Sequence, residues 1–281
     1  MPDLSIVIVN TNNCKLLEEC LASIAKSTHK ITYEVIVSDN ASTDGSRELV
    51  RNKFPKTILI TNKENLGFIK ASNLGLKIHQ GRYAMLLNDD TIVKESALDK
   101  MVEFMDSHPE AGACGAKLLN IDGTIQHQGG LLGKKFWQAK EPTMVDFVIG
   151  AALLVRKKVI DQVGIMDENL FFYNDDLDWC LSIRKAGYKI YFLPQAEIIH
   201  YGGYSSKRKF NRRLFVEGFK GGLYFVRKHY GELAYNIYRS ALTLAFVLVL
   251  PCQILNKTKL LAYTDIIRMA AAGQVPRPML K

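Results

Sequence analysis

Short apolar, β-rich runs alternate with stretches of helical period over the first half of the chain, and this alternation restricts the fold more than any other feature. Residues 4–9, 33–38, 57–61 and 83–87 read as strands. Between the first two, Leu16, Leu17, Cys20, Leu21 and Ile24 recur at the spacing of a helix with one buried face, behind the capping-type residues Asn12 and Asn13. A second helix is expected from near Ser42 to Phe54, stopped by Pro55. A third should cover residues 69–79, and Ala97, Leu98, Met101, Val102 and Met105 mark a fourth. Successive βα units of this kind build a mainly parallel sheet covered by helices, so the fold class is α/β. After His108-Pro109 the pattern loosens into a Gly-rich tract, 122–133, with a turn at Asp122-Gly123. Residues 145–155 then read as a strand, 156–163 and 174–186 as helices ending at Gly164 and Gly187, and 189–193 and 196–200 as two more strands.

With 281 residues, 48% of them hydrophobic, the chain can bury a large core, and one α/β domain with an appendage accounts for its length. Its five cysteines are scattered and form no C-x-x-C pair, which suggests neither a disulfide framework nor a zinc site and suits a reducing compartment. The start lacks a basic segment, and the apolar run 6–9 is too short for a secretory signal. A net charge of +9 suits nucleic acid, anionic lipid or a phosphorylated substrate, and charge alone does not choose among them.

Ligands of open α/β sheets bind beyond the carboxyl ends of the strands. Here those ends carry Asn10-Thr11-Asn12-Asn13, then Asp39 to Gly45, Asn62 to Gly67, and Asn88-Asp89-Asp90-Thr91. No G-x-G-x-x-G or P-loop motif occurs there, which argues against a Rossmann dinucleotide site and a P-loop nucleotidase. Any one such loop reads equally well as a helix cap; four on one edge point to a binding site. The pair Asp89-Asp90 at the end of an apolar strand pays desolvation and repulsion unless a cation offsets both, and hard oxygen donors suit Mg²⁺ or Mn²⁺. Asp175, Asp176 and Asp178 fall in the first turn of a helix. The macrodipole alone favours acids there, but the flanking Phe171, Phe172, Tyr173 and Trp179 also suit a carboxylate of raised pKa acting as a base. His200, taken alone, reads as a core histidine.

These residues resemble family 2 glycosyltransferases of the GT-A fold, and within them bacterial rhamnosyltransferases. The resemblance rests on Ser5-Ile6-Val7-Ile8-Val9-Asn10, on Glu34 through Gly45 with its Asp39-Asn40-Ala41-Ser42-Thr43-Asp44-Gly45, and on Asn65-Leu66-Gly67-Phe68 followed by Asn73. It continues through Leu86-Leu87-Asn88-Asp89-Asp90-Thr91, Gly150-Ala151, and the run from Met166-Asp167-Glu168 through Asp176 to His200. It implies a GT-A catalytic domain over 1–205, with a nucleotide-sugar half over about 1–110 and an acceptor half over about 111–205. Thr11, Asn13, Asp39, Asn40, Asn65, Gly67, Phe68, Asn73, Asn88 and Asp89 would contact the nucleotide sugar. Asn88-Asp89-Asp90 stands where the family carries its D-x-D motif, with Asn88 a departure at the first position. Asp90 would bind the metal and His200 would complete its shell. Gly150, Ala151, Asp175 and Trp179 would meet the acceptor, and Asp176 would be the catalytic base of an inverting transfer. The implied donor is dTDP-L-rhamnose, with a UDP-sugar as alternative. An inactive sugar-nucleotide-binding homologue is the reading that the Asn88 departure keeps open.

The extension, 206–281, is basic and then apolar. Lys207-Arg208-Lys209-Phe210-Asn211-Arg212-Arg213 holds five basic residues and no acid, and 240–256 holds no charge. Those positions reach roughly 26 Å as a helix, short of a ~30 Å hydrocarbon core, and Pro251 interrupts them. Two occupants of this apolar surface stand: the inner leaflet of a membrane, with a glycan or lipid-linked glycan acceptor and the enzyme peripheral on the cytoplasmic face, or a protein surface, including a homodimer. No nucleic-acid-binding module is present in the pattern, so no nucleic-acid partner is expected.

Overall fold

The strand β1 (Leu4–Asn10) takes β2 (Tyr33–Asp39) on one side and β4 (Tyr83–Asn88) on the other, both parallel, and β3 (Ile58–Thr61) extends the array beyond β2. This computed structural model describes residues 1–128, 135–170, 174–202, 210–253, 255–273 and 275. The register pairs Asn10 with Asp39 and Val9 with Asn88, so the polar residues that end these strands share one edge. Beyond β4 the sheet becomes mixed. β8 (Ala152–Arg156) runs antiparallel between β4 and β6 (Ala111–Leu119), and β9 (Lys189–His200) runs parallel to β6. β5 (Thr91–Val93) pairs with the last residues of β9, and β7 (Thr143–Val145) with its first half, completing a nine-stranded sheet among the described residues.

Helix α1 (Cys14–Ser27) buries Leu17, Cys20, Leu21 and Ile24, four of the five residues of the expected stripe, in the core that includes Leu4, Ile6 and Ile8 of β1, while Leu16 is half-buried. Each of the buried leucine and isoleucine side chains contributes about 1.5–3 kcal/mol on leaving water. Helices α2 (Ser46–Lys53), α3 (Phe68–Ile78) and α4 (Ala97–Ser107) follow, and α4 buries all five of its predicted core residues. α2 starts later than the spacing suggested, because Ser42 and Asp44 are spent as loop hydrogen-bonding groups and Gly45 turns the chain at φ 88°. β6 escaped prediction because its sequence, AGACGAKLL, has no β-branched residue; burial on both faces stabilises it instead. The single strand expected over 145–155 is broken by an irregular stretch between β7 and β8. Conversely, the two strands expected at 189–193 and 196–200 are one, with an irregular register at Pro194, which lacks the N–H for an unbroken ladder. α5 (Lys157–Val163) and α6 (Asp175–Lys185) lie between β8 and β9.

The chain divides into two compact units, Met1–Met166 with Asp176–Tyr204, and Asp167–Asp175 with Ser205–Lys281. In the second, α7 (Arg212–Val249) packs on α8 (Lys257–Ala272) through Phe215, Phe219, Phe246 and Tyr263. Asn211 and Asn256 cap the two helices. At Gly231, φ 82° and ψ −178° break α7 into two helices, a backbone state essentially restricted to glycine. Asp167 accepts hydrogen bonds from Tyr224 and Lys228, each at 2.8 Å, and tethers the 167–175 segment within this unit. The basic residues 207–209 and the expected boundary near 205 lie outside the described residues.

Candidate functional site

The first two strand ends form a self-supporting polar wall. Asn10 donates to Asp39 at 3.1 Å and to Ser42 at 3.0 Å. The other carboxylate oxygen of Asp39 accepts from Arg47 at 2.5 Å and from the Ser42 amide at 3.1 Å. Burial alone would raise the pKa of Asp39, but the hydrogen bonds from Ser42, Arg47 and Asn10 outweigh it and hold the carboxyl below its ordinary value. Asn40 spends its amide on the next loop: it donates to Asn65 and Gly67 and accepts from Leu66 and Asn62. Asn65 also accepts from the Gly67 amide at 2.9 Å, shaping the entry to α3 at Phe68. Asn73 is fully buried within α3 and donates to the Met166 carbonyl at 2.9 Å, so in this conformation it braces the scaffold rather than lining the loops.

Asn13 occupies the N-cap position of α1, but its side chain does not cap the helix. Its amide donates to Asp89 at 3.1 Å, while Asp44 caps α1 by accepting from the Cys14 amide at 2.8 Å. Thr11, beside it, is half-buried and its backbone also supports Asp89. Burial, and after it the charge of Asp90, push the Asp89 carboxyl up to about 7 against those two hydrogen bonds. Asp90 immediately precedes Thr91, the residue that pairs with His200 in the β5–β9 register, and its Oδ1 lies 3.2 Å from His200 Nε2; the Asn88 side-chain amide reaches the same Nε2 at 3.1 Å. Sequence reasoning missed the residue behind the imidazole: Gln126 lies 2.7 Å from His200 Nδ1, and nothing in the spacing ties the 120–126 hairpin to that strand.

On the other side, the Asn88 amide donates to the Ala151 carbonyl at 3.1 Å, and the Gly150 amide points at Asp176 Oδ2 at 3.4 Å. Asp176 Oδ1 accepts from the Leu177 amide at 2.8 Å. Burial of this carboxylate raises its pKa, opposed by those backbone donors. Gly150 leaves open space: an added Cβ would meet only the Phe68 ring, at 3.9 Å. The expectation of an acceptor contact at Trp179 gives way to a core role, since the ring is 2% exposed and its indole donates to the Gly164 carbonyl. Asp175 opens α6 immediately before Asp176. Phe171, Phe172 and Tyr173 lie outside the described residues.

Among the described residues no group of three or more His, Cys, Asp or Glu gathers as a metal cluster. The Asp90–His200 pair nevertheless fits a hard divalent cation, because Mg²⁺ and Mn²⁺ take few protein donors and complete their shell with water and substrate phosphate. Two adjacent buried carboxylates, one with its pKa raised to about 7, are the environment that a cation relieves.

Residues 5–164 match the family model described as Glycosyl transferase family 2. The chain is 28% identical over 241 residues to an N-acetylglucosaminyl-diphospho-decaprenol L-rhamnosyltransferase of Mycobacterium tuberculosis, covering 73% of this chain and 78% of that protein. It is 25% identical over 176 residues to the dTDP-rhamnosyl transferase RfbF of Shigella flexneri, covering 59% of each. Among solved structures it is similar to the mannosyltransferase PcManGT from Pyrobaculum calidifontis in complex with GDP-Man and Mn²⁺, with TM-score 0.61, 16% identity, and coverage of 97% of this chain and 86% of that one. It is also similar to GalNAc-T7 with UDP, GalNAc and Mn²⁺, with TM-score 0.63, 16% identity, and coverage of 80% and 50%.

Proposed function

Because the chain belongs to glycosyl transferase family 2 and has the GT-A fold, we propose that it transfers L-rhamnose from dTDP-L-rhamnose, with inversion, to a hydroxyl of a lipid-linked or polysaccharide acceptor. Glycosyl transfer follows from the family; the rhamnosyl donor is supported by two relatives named for rhamnosyl transfer. The observation that carries the reading is the convergence on one sheet edge of the Asp90–His200 pair and of Asp176, the latter held by the Gly150 amide next to the strand that bears Asn88.

Thr11, Asn13, Asp39, Asn65, Gly67 and Phe68 line the proposed donor side, with Asn40 and Asn73 bracing it. Asn88 and Asp89 stand between that side and Asp90. A Mg²⁺ or Mn²⁺ ion held by Asp90 and His200 would supply Lewis-acid stabilisation of the diphosphate leaving group. Asp176 takes the proton of the acceptor hydroxyl as the oxygen attacks the anomeric carbon from the face opposite the diphosphate. The bond to the diphosphate breaks as the glycosidic bond forms, and a single displacement inverts the centre. Burial strengthens Asp176 as a base, and the Gly150 and Leu177 amides fix its direction.

The extension is proposed to hold the enzyme peripherally on the cytoplasmic face of the membrane. By length and composition the helix Arg212–Gln253 could cross a membrane, with 11% of its apolar window buried, and Gly231 divides it. After that break, Leu233, Ile237, Leu244 and Leu248 recur at helical spacing and are 60–76% exposed, an apolar face suited to the headgroup boundary. Calorimetric titration with dTDP-L-rhamnose, UDP-glucose and UDP-galactofuranose in the presence of Mn²⁺ tests the donor. Tight binding of dTDP-L-rhamnose is expected; tight binding of a UDP-sugar with none for dTDP-L-rhamnose overturns the choice.

A further inference from the structure

We propose that Gln126 is a positioning residue that fixes the tautomer of His200, so that the imidazole turns an unprotonated Nε2 toward Asp90. The inference rests on the reading of His200 as a cation ligand, and it assigns to Gln126 the means by which that ligand is prepared. Gln126 touches His200 twice. Its Nε2 lies 3.3 Å from the His200 main-chain carbonyl and its Oε1 lies 2.7 Å from the ring Nδ1. A main-chain carbonyl can only accept, so the amide nitrogen of Gln126 must face it, and the Asn120 Oδ1 at 3.2 Å takes a second hydrogen from that nitrogen. The orientation of the side-chain amide is therefore decided by a group that cannot be flipped. Oε1 is left facing Nδ1, and since a carbonyl oxygen has nothing to donate, the ring nitrogen must carry the hydrogen. In the neutral imidazole the lone pair then resides on Nε2, the atom 3.2 Å from Asp90 and 3.1 Å from the Asn88 amide.

The surrounding backbone is arranged to keep Gln126 there. The 120–126 hairpin, closed by the Asn120–Thr124 bonds, returns to the sheet with the Gln126 amide donating to the Leu118 carbonyl at 2.9 Å. Opposite it sits Gly202, at φ 63°, where an added Cβ would stand 2.6 Å from Gln126 Nε2. Any side chain at 202 would displace the amide that reads His200. Without Gln126, nothing in this arrangement forces the hydrogen to Nδ1, and the Asp90 carboxylate would draw it to Nε2, where it blocks a cation.

The test is long-range ¹H–¹⁵N NMR on the full, cation-free chain labelled at histidine, at about pH 8, above the model-peptide histidine value of about 6.5, with His200 assigned by loss of its signals in His200→Gln. The wild-type protein should show Nδ1 protonated and Nε2 bare; Nε2 protonated in the wild type overturns the proposal without recourse to any variant. Gln126→Leu should populate the Nε2–H form, and Gly202→Ala, which keeps Gln126 but crowds it, should shift the ring the same way. An unchanged tautomer in both variants overturns the proposal. Titration with Mn²⁺ in the presence of dTDP, followed by electron paramagnetic resonance, should show roughly 10–100-fold weaker binding in Gln126→Leu. Unaltered Mn²⁺ affinity in that variant alone overturns the positioning role, whereas unaltered affinity in His200→Gln as well overturns the cation reading beneath it.

Discussion

Asp176→Asn keeps the shape of the side chain and its acceptor for the Leu177 amide while removing its capacity to take a proton. It should leave donor and Mn²⁺ binding intact and lower transfer by about 10²–10⁴-fold, measured as glycosylated acceptor formed per unit time. Near-normal turnover in Asp176→Asn with loss in Asp175→Asn would move the base by one residue. In the wild-type enzyme, turnover should rise with pH through a folded-state pKa displaced upward from the ordinary carboxylate value of 3.8, because burial disfavours the charge that the base must carry. The positions of Asp39 and Asn88 at strand ends, and of Asp90 in the turn after β4, were legible in sequence because several polar loops each follow an apolar run. Trp179 was not, because an aromatic residue beside acids looks the same whether it frames a site or, as here, hydrogen-bonds inside the core. Gln126 was invisible for another reason: its partner is chosen by strand pairing, which brings β9 beside β6 although about 70 residues separate them in sequence.

Among the elements, α1 shows why local rules find helices more readily than they find what the cap residues do. The period of Leu17, Cys20, Leu21 and Ile24 located the helix, yet Asn13 turns to Asp89 and a residue from the next loop, Asp44, supplies the cap. β6 was illegible because burial on both faces, rather than propensity, makes it a strand. In the second unit, burial would raise the pKa of Asp167, but hydrogen bonds from Lys228, the Asn169 amide and Tyr224 outweigh it and hold the carboxyl at about 2. A depressed folded pKa contributes stability above the unfolded value near 3.8, and this is lost as pH falls through about 2. Asp167→Asn should therefore lower the melting temperature at neutral pH, by the equivalent of about 2–3 kcal/mol, with the variant and wild-type melts converging near pH 2. On α7, Leu244→Glu with Leu248→Glu should abolish sedimentation with anionic vesicles and leave transfer to a soluble acceptor unchanged. Undiminished vesicle binding, or a dimer dissociated by the same pair of changes, would assign that face to another partner.

At the scale of the whole molecule, the sheet gathers chemistry from distant parts of the chain. Asp90, one residue before β5, is brought to His200 by the pairing of Thr91 with His200, and Asp176 is joined to the same edge through Gly150 and the start of β8. The central claim is that this edge carries cation-dependent sugar transfer, and transfer from dTDP-L-rhamnose to acceptor after exhaustive chelation tests it most directly. The account predicts no turnover in EDTA and recovery on adding Mn²⁺ or Mg²⁺ in excess, with recovery lost in Asp90→Ala. Full turnover in EDTA would contradict it.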